Sequence, residues 1–114
     1  MANQSILMSI PLKEGCLAQY LAFAKEAQER ATEYKEMLLR YDIHSAKVWT
    51  QNISGRDYVF VYHDVGPNFE EKMKGWDTSA HPFDTWFRES IMAVYDISSV
   101  EDMGVMSQAV DFTF

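Results

Sequence analysis

The sequence predicts a two-layer α+β sandwich with elements in the order β-α-β-β-α-β. Three observations predict it. Short stretches of strict apolar/polar alternation occur near the start, in the middle and at the end of the chain. The first is followed by a long apolar repeat at spacings of three and four, and a second repeat of that kind follows a Gly-Pro turn. Alternation at two marks a strand buried on one face, and the three-and-four spacing marks a helix with one apolar stripe.

The first strand runs from Ser5 to Leu12, where Ile6, Met8, Ile10 and Leu12 alternate with Ser5, Leu7, Ser9 and Pro11. Pro11 has no N–H to donate, which places it at a strand end or on an edge. A single helix is expected from Glu14 to Arg40, its stripe formed by Leu17, Tyr20, Leu21, Ala24, Ala27, Ala31, Tyr34, Leu38 and Tyr41. Lys25, Glu26, Glu29, Arg30, Glu33 and Glu36 make the solvated face, and Glu14 and Arg40 suit the two ends of the helix dipole. The alanines in the stripe imply a close approach to the sheet. Two strands follow, His44 to Gln51 and Asp57 to Asp64, joined by Asn52 to Arg56 at hairpin length. Ala46, Val48, Val59 and Val61 share one face with His44 and His63. Lys47, Trp49, Tyr58, Phe60 and Tyr62 share the other.

After Gly66-Pro67 the second helical region divides into Asn68 to Lys74 and Pro82 to Tyr95, with a break at Gly75 to Ala80. Phe69, Met73 and Trp76 point inward from the first piece, and Phe83, Trp86, Phe87, Ser90, Ile91 and Val94 from the second. A last strand is expected from Val105 to Phe114, where Val110, Phe112 and Phe114 alternate with Asp111 and Thr113. The order is the ferredoxin-like split pattern: one domain, residues 1–114, with a four-stranded antiparallel sheet.

Composition narrows the function classes. With 114 residues, 17 acidic and 10 basic, the net charge is −7, and no Lys/Arg cluster offers a footprint for nucleic acid. No apolar run approaches the ~20 residues that cross a bilayer. The opening residues hold no basic stretch leading into an apolar core, and Cys16 alone cannot form an internal disulfide; a cytoplasmic protein is expected. No phosphate-cradling glycine loop and no G-x-S-x-G is present, and no cofactor is expected.

Two helices cover one sheet face only. The other face, with Lys47, Trp49, Tyr58, Phe60 and Tyr62, is too aromatic to stand in water on a monomer, so a homodimer is expected, two sheets meeting face to face.

The length, the element order, the long helix after a short strand and the segment Thr78-Ser-Ala-His-Pro-Phe-Asp-Thr-Trp-Phe-Arg88 resemble the dimeric α/β-barrel superfamily. Within it the chain is most similar to the sugar-mutarotase branch and small bacterial relatives, with the cofactor-independent monooxygenases second. Rhamnose mutarotases carry a histidine one turn after a tyrosine on the first helix; here Tyr20 is followed by Ala24, while the aromatic pair of the second helix is kept as Trp86-Phe87.

The candidate catalytic residue is His81, which precedes Pro82 and so sits at a helix mouth, where it acts as a base or only caps. Asp84 one turn on favours the dipole or pairs with Arg88. Candidate ligand-binding residues are Lys47, Trp49, Tyr58, Tyr62 and Trp86, a cation and aromatic rings suited to a carboxylate, an enolate or a flat ligand; each also fits a plain interface role. His44, His63 and His81 lack metal-ligand spacing, and no metal site is expected. Two functions remain. One is a small-molecule enzyme or binding protein, either a mutarotase-like isomerase of a sugar or small carbonyl compound or a cofactor-independent monooxygenase. The other is a non-catalytic dimer that regulates or senses a ligand.

Overall fold

The computed structural model of the protein describes residues 4–98 and 102–114. The elements are β1 (Gln4–Pro11), α1 (Leu17–Glu29), α2 (Ala31–Arg40), β2 (Ile43–Ile53), β3 (Arg56–Val65), α3 (Phe69–Met73), a 3-10 turn (Trp76–Thr78), α4 (Pro82–Val94) and β4 (Gly104–Val105). Among the described residues the strands form one antiparallel sheet in the order β2-β3-β1-β4, the ferredoxin-like arrangement expected from the sequence.

The register sorts the two faces. Met8 pairs with Val61 and Val61 with Val48, while Ile10 pairs with Val59 and Val59 with Thr50, so these residues turn together toward the helices. Leu7 pairs with Tyr62 and Tyr62 with Lys47, and Ser9 with Phe60 and Phe60 with Trp49, on the open face. The core lies on the helix side. Ile10, Leu12, Val59, Val61 and Val65 meet Tyr20, Met37, Tyr41, Phe83, Ile91 and Val94 there, all buried. No helix among the described residues is long and apolar enough to cross a membrane.

Three elements differ from the sequence expectation. The first helix breaks at Arg30, whose backbone (φ −90°, ψ 50°) leaves helical geometry between α1 and α2. The Arg30 guanidinium lies over the rings of Phe83 and Trp86, 4.7 and 4.6 Å from their centroids, and bonds Glu33 at 3.0 and 2.9 Å. The bend thus lets α1 and α2 both pack on α4. The hairpin is tighter than expected, with only Ser54 and Gly55 between the strands. Both have positive φ (52° and 86°), as a type I′ turn requires, and Gly55 meets that demand without steric cost.

The last strand is short. β4 pairs only Gly104 with Ser9 and Val105 with Met8, and one further bond runs from Met106 N–H to Leu7 O (2.8 Å). In that register residue 109 would face Gln4, the first described residue of β1, and among the described residues Val110 to Phe114 have no strand partner. Alternation is present there without a hydrogen-bonding neighbour, and Val110, Phe112 and Phe114 stand exposed.

One buried charge ties the helix layer together. Asp84 is fully buried on the first turn of α4 and accepts hydrogen bonds from Arg40 of α2, from the Tyr41 hydroxyl (2.5 Å) and from Ser79 Oγ (2.8 Å). The expected partner, Arg88, instead holds the carbonyls of Trp76 (2.7 Å) and Ser79 (3.3 Å). Burial pushes the Asp84 carboxyl up, but the hydrogen bonds from Arg40, Tyr41 and Ser79 outweigh it and leave the group below the ordinary carboxylate value. Asp84→Ala strips Arg40 and Tyr41 of their acceptor, and the expected loss is about 3 kcal/mol or more, the usual consequence of breaking a buried pair. Urea unfolding at pH 7 measures it; a loss under about 1 kcal/mol would remove Asp84 as the anchor of the layer.

Candidate functional site

A cavity of about 620 Å³ lies between the helix-facing side of the sheet and the helices. Small side chains make room for it. Ala24, Ala27 and Ala31 of α1 and α2 line one wall, with Tyr20, Tyr34, Met37 and Tyr41; Met8, Ile10, Ala46 and Val61 form the floor. Trp76 and Phe87 belong to the far wall. The alanine stripe therefore does the reverse of what the sequence suggested: α1 packs mainly on α4 and α2, and the space below its alanines stays open. The helix layer covers only part of the edge strand: α2 packs on β2, where Ile43 is buried, but the strand is exposed from Lys47 onward. Leu21, Gln28, Lys35 and Leu39 on the helices and His44, Val48 and Thr50 on the strand are exposed, and they rim the mouth.

His63, near the end of β3, lines this cavity. Its neighbours on the same face are Val61 and Val65 along the strand and Ile6 and Ala46 across it, so few groups nearby can solvate a charge. Among the described residues its Nδ1 is buried without a hydrogen-bond partner. Burial pushes the imidazole down to about 4, so it is neutral at physiological pH, with one N–H and one lone pair. Two tyrosines lie farther along the wall. Burial pushes Tyr20 up to about 12 and Tyr95 well above its ordinary value, and the two hydroxyls hydrogen-bond each other. They remain protonated donors and acceptors at any working pH.

A second imidazole stands at the mouth. β2 pairs Ile43 with Val65 and then Ser45 with Asp64, so His44 is the extra residue of a β-bulge, a device that re-aims a side chain. His44 Nε2 lies 2.8 Å from Asp42 Oδ1. Asp42 is itself fixed from two sides: its carbonyl accepts the Gly66 N–H (2.8 Å), and its Oδ2 accepts the Asn68 N–H (2.9 Å). The Asn68 N–H bond is the main reason that the Asp42 carboxyl lies below its ordinary value, against the effect of burial and with help from His44. Asp42 adopts φ 58°, tolerable for an aspartate, and a Cβ on residue 66 would come within 2.3 Å of its Oδ2, so Gly66 is required for the approach.

The residues singled out from the sequence lie elsewhere. His81 is the N-cap residue of α4, exposed and in extended geometry before Pro82, and its side chain makes no capping bond. Lys47, Trp49, Tyr58 and Tyr62 share the open sheet face. Lys47 Nζ lies 5.9 Å from the Tyr62 ring, and the Tyr62 hydroxyl is 3.3 Å from Ser5 Oγ. Trp86 packs on Phe23 and Phe83 in the seam between α1 and α4. None of the six lines the cavity. The sequence did carry a sign of it: alternation puts His44 and His63 on the helix-facing side with Ala46, Val48, Val59 and Val61, and both line the cavity. Asp42 and its hold on His44 had no such sign, since both depend on a bulge and on a turn 24 residues away.

No family model and no curated protein matches the chain. Among solved structures the fold is similar to that of tetracenomycin F2 cyclase from Streptomyces glaucescens, a type II polyketide cyclase. The TM-score is 0.63 at 13% identity, over 97% of this chain and 98% of that one. At that identity the likeness establishes the α+β fold, and it brings no support for a sugar mutarotase.

The environment of His63 has a measurable consequence. An unfolded chain binds a proton at His63 near pH 6.5, whereas the native chain refuses it until about pH 4. This component of stability is full above pH 6.5 and is lost as pH falls toward 4. His63→Leu, which keeps the volume and removes the titration, should lose about 2 kcal/mol less than the wild type between pH 7 and pH 4.5. Urea unfolding at the two pH values decides it, and equal losses in both proteins would place His63 in water.

Proposed function

We propose that the protein is a small-molecule enzyme that binds a planar aromatic carbonyl compound in the cavity and moves protons on it, an isomerisation or cyclisation without oxidation. The observation that carries this reading is His63: a neutral imidazole lining an apolar cavity whose volume, about 620 Å³, falls among those of small-ligand sites. A neutral N–H there can bond a ligand's carbonyl or phenol oxygen away from water, where such a bond is strongest. The lining favours a carbonyl compound over a sugar. A sugar presents hydroxyls all round, whereas Tyr20 and Tyr95 are committed to each other and Tyr41 to Asp84. A fold shared with a polyketide cyclase supports the same choice.

The open sheet face supports a homodimer. Trp49 is 55% exposed and Leu7 41%, and they share that face with Tyr58, Phe60 and Tyr62. In this reading Lys47, Trp49, Tyr58 and Tyr62 serve the interface, and Trp86 and His81 keep structural roles.

Two experiments test these statements. A thermal-shift titration with α-tetralone and 1-naphthol should raise the melting temperature by roughly 10 °C near a hundredfold excess over Kd, and free sugars should not. Val48→Trp at the mouth should abolish the shift and leave the unliganded protein folded; a shift confined to sugars, or one that survives Val48→Trp, overturns the cavity reading. Light scattering in dilute solution should give about twice 13.2 kDa for the wild type and 13.2 kDa for Trp49→Glu. A wild-type mass of 13.2 kDa overturns the dimer.

A further inference from the structure

The geometry points to His44 as the proton-abstracting base of this cavity, positioned by Asp42, with His63 of the neighbouring strand as the hydrogen-bond donor in the same cavity. The inference rests on the reading of the cavity as a small-molecule site and adds to it the reacting pair.

His44 owes its place to the bulge in β2, which turns the extra residue toward the cavity mouth instead of the open face. Asp42 settles which nitrogen does the work. Its Oδ2 is taken by the Asn68 N–H, which leaves Oδ1 as the acceptor 2.8 Å from His44 Nε2. An ionised carboxylate only accepts, so Nε2 carries the proton and Nδ1 keeps the lone pair. The arrangement is built and not incidental: the φ of 58° at Asp42, the Gly66 N–H on its carbonyl and the missing side chain at Gly66 all hold that carboxylate in one place.

His63 pairs directly with Ala46, two residues along β2 from His44, so the two imidazoles are diagonal neighbours on adjacent strands. Diagonal positions on a regular ladder lie about 7–8 Å apart along the backbone, so both side chains can reach one ligand in the cavity they line. Their surroundings differ in the way that divided labour needs. His63 is enclosed by aliphatic side chains, and it offers an N–H without taking up charge. His44 is exposed at the mouth with a carboxylate behind it, so an imidazolium formed there is compensated by Asp42 and can return its proton to ligand or water.

The step balances without an oxidant. His44 Nδ1 takes the proton from the carbon next to the ligand's carbonyl. The electron pair of that C–H bond becomes the C=C bond of an enolate, the carbonyl π pair moves onto oxygen, and the His63 N–H bonds the oxygen. The His44 imidazolium then gives the proton back, to the same carbon or to another, or the enolate carbon attacks a second carbonyl of the ligand, whose oxygen takes the proton.

The test uses α-tetralone as the probe and the full chain. Exchange of its C2 protons in D₂O, followed by NMR, should be faster with the wild-type protein than in buffer. His44→Gln should lower that rate roughly 100-fold, while the Kd of tetralone stays within about threefold. Asp42→Asn keeps an oxygen for the Asn68 N–H but turns an NH₂ donor toward His44 Nε2, which drives the proton to Nδ1. It should slow exchange comparably, and the ¹⁵N spectrum should show His44 change from the Nε2–H to the Nδ1–H tautomer. A purely structural role for Asp42 predicts no such change. Tetralone bound with exchange unaltered in His44→Gln, or absent in the wild type, overturns the base assignment and leaves the cavity reading standing. So does a wild-type His44 with its proton on Nδ1. Failure of tetralone to bind overturns both.

Discussion

The fold depends on a carboxylate with no access to water. Asp84 stands on the first turn of α4 and draws in Arg40 and Tyr41 from the end of α2 and Ser79 from the segment before α4. An uncompensated charge in that position would be too costly to keep, so three donors from two parts of the chain must arrive together or the helix layer does not close. Arg88 extends the same clasp, holding the carbonyls of Trp76 and Ser79. Trp76 is thereby fixed as a wall of the cavity, and Tyr41 is kept in the core with its hydroxyl turned away from any ligand. The bend at Arg30 serves the same end, since a straight helix could not meet α4 along both of its halves.

Held in this way, the helix layer can span a space that it does not fill. A sealed apolar void costs about 24 cal/mol per Å³, so one of 620 Å³ would cost on the order of 15 kcal/mol, as much as the whole stability of a small domain. Such a void could not persist. The structure avoids the cost by leaving much of the edge strand exposed, with Val48, Thr50 and His44 in an open mouth. The alanines of α1 and α2 would be poor choices for a core meant to be packed, and they are suitable walls for a site meant to be occupied.

Much of this was legible in the sequence, and the boundary is physical. Alternation placed Val59 and Val61 against the helices and Tyr58, Phe60 and Tyr62 away from them, because a strand has only two faces and the register cannot slip by one. The divided second helix was legible from Gly75 to Ala80. The break at Arg30 was not, because it is caused by rings on α4, more than fifty residues on. The alanine stripe was legible as small residues, yet close approach and open space demand the same side chains, and only the path of α1 over α4 decides between them. The tail, Val110 to Phe114, alternates as a strand should; pairing needs a neighbour, and alternation says nothing of neighbours. The candidate site was the least legible part. Alternation put His44 and His63 on one face, but the carboxylate behind His44 depends on the turn at Asp42 and on Gly66 across from it.

The extra residue of the bulge in β2 shows how little separates a packed edge strand from a reactive one. Without the bulge the pairing Ile43–Val65 would be followed by position 44 opposite Asp64, on the open face with Ser5, and no imidazole would reach the cavity mouth. With it, residue 44 stands on the inner side beside the strand end where Asp42 turns. The turn at Asp42 in turn needs Gly66 across from it, so the position of one histidine is set jointly by β2, the end of α2 and the loop before α3. Of these, the end of α2 also reaches Asp84, through Arg40 and Tyr41. The constraint that closes the helix layer and the one that aims His44 thus act at consecutive residues: Arg40 and Tyr41 hold Asp84, and Asp42 holds His44. A shift in the Asp84 clasp would move the end of α2, and with it the carboxylate behind the imidazole.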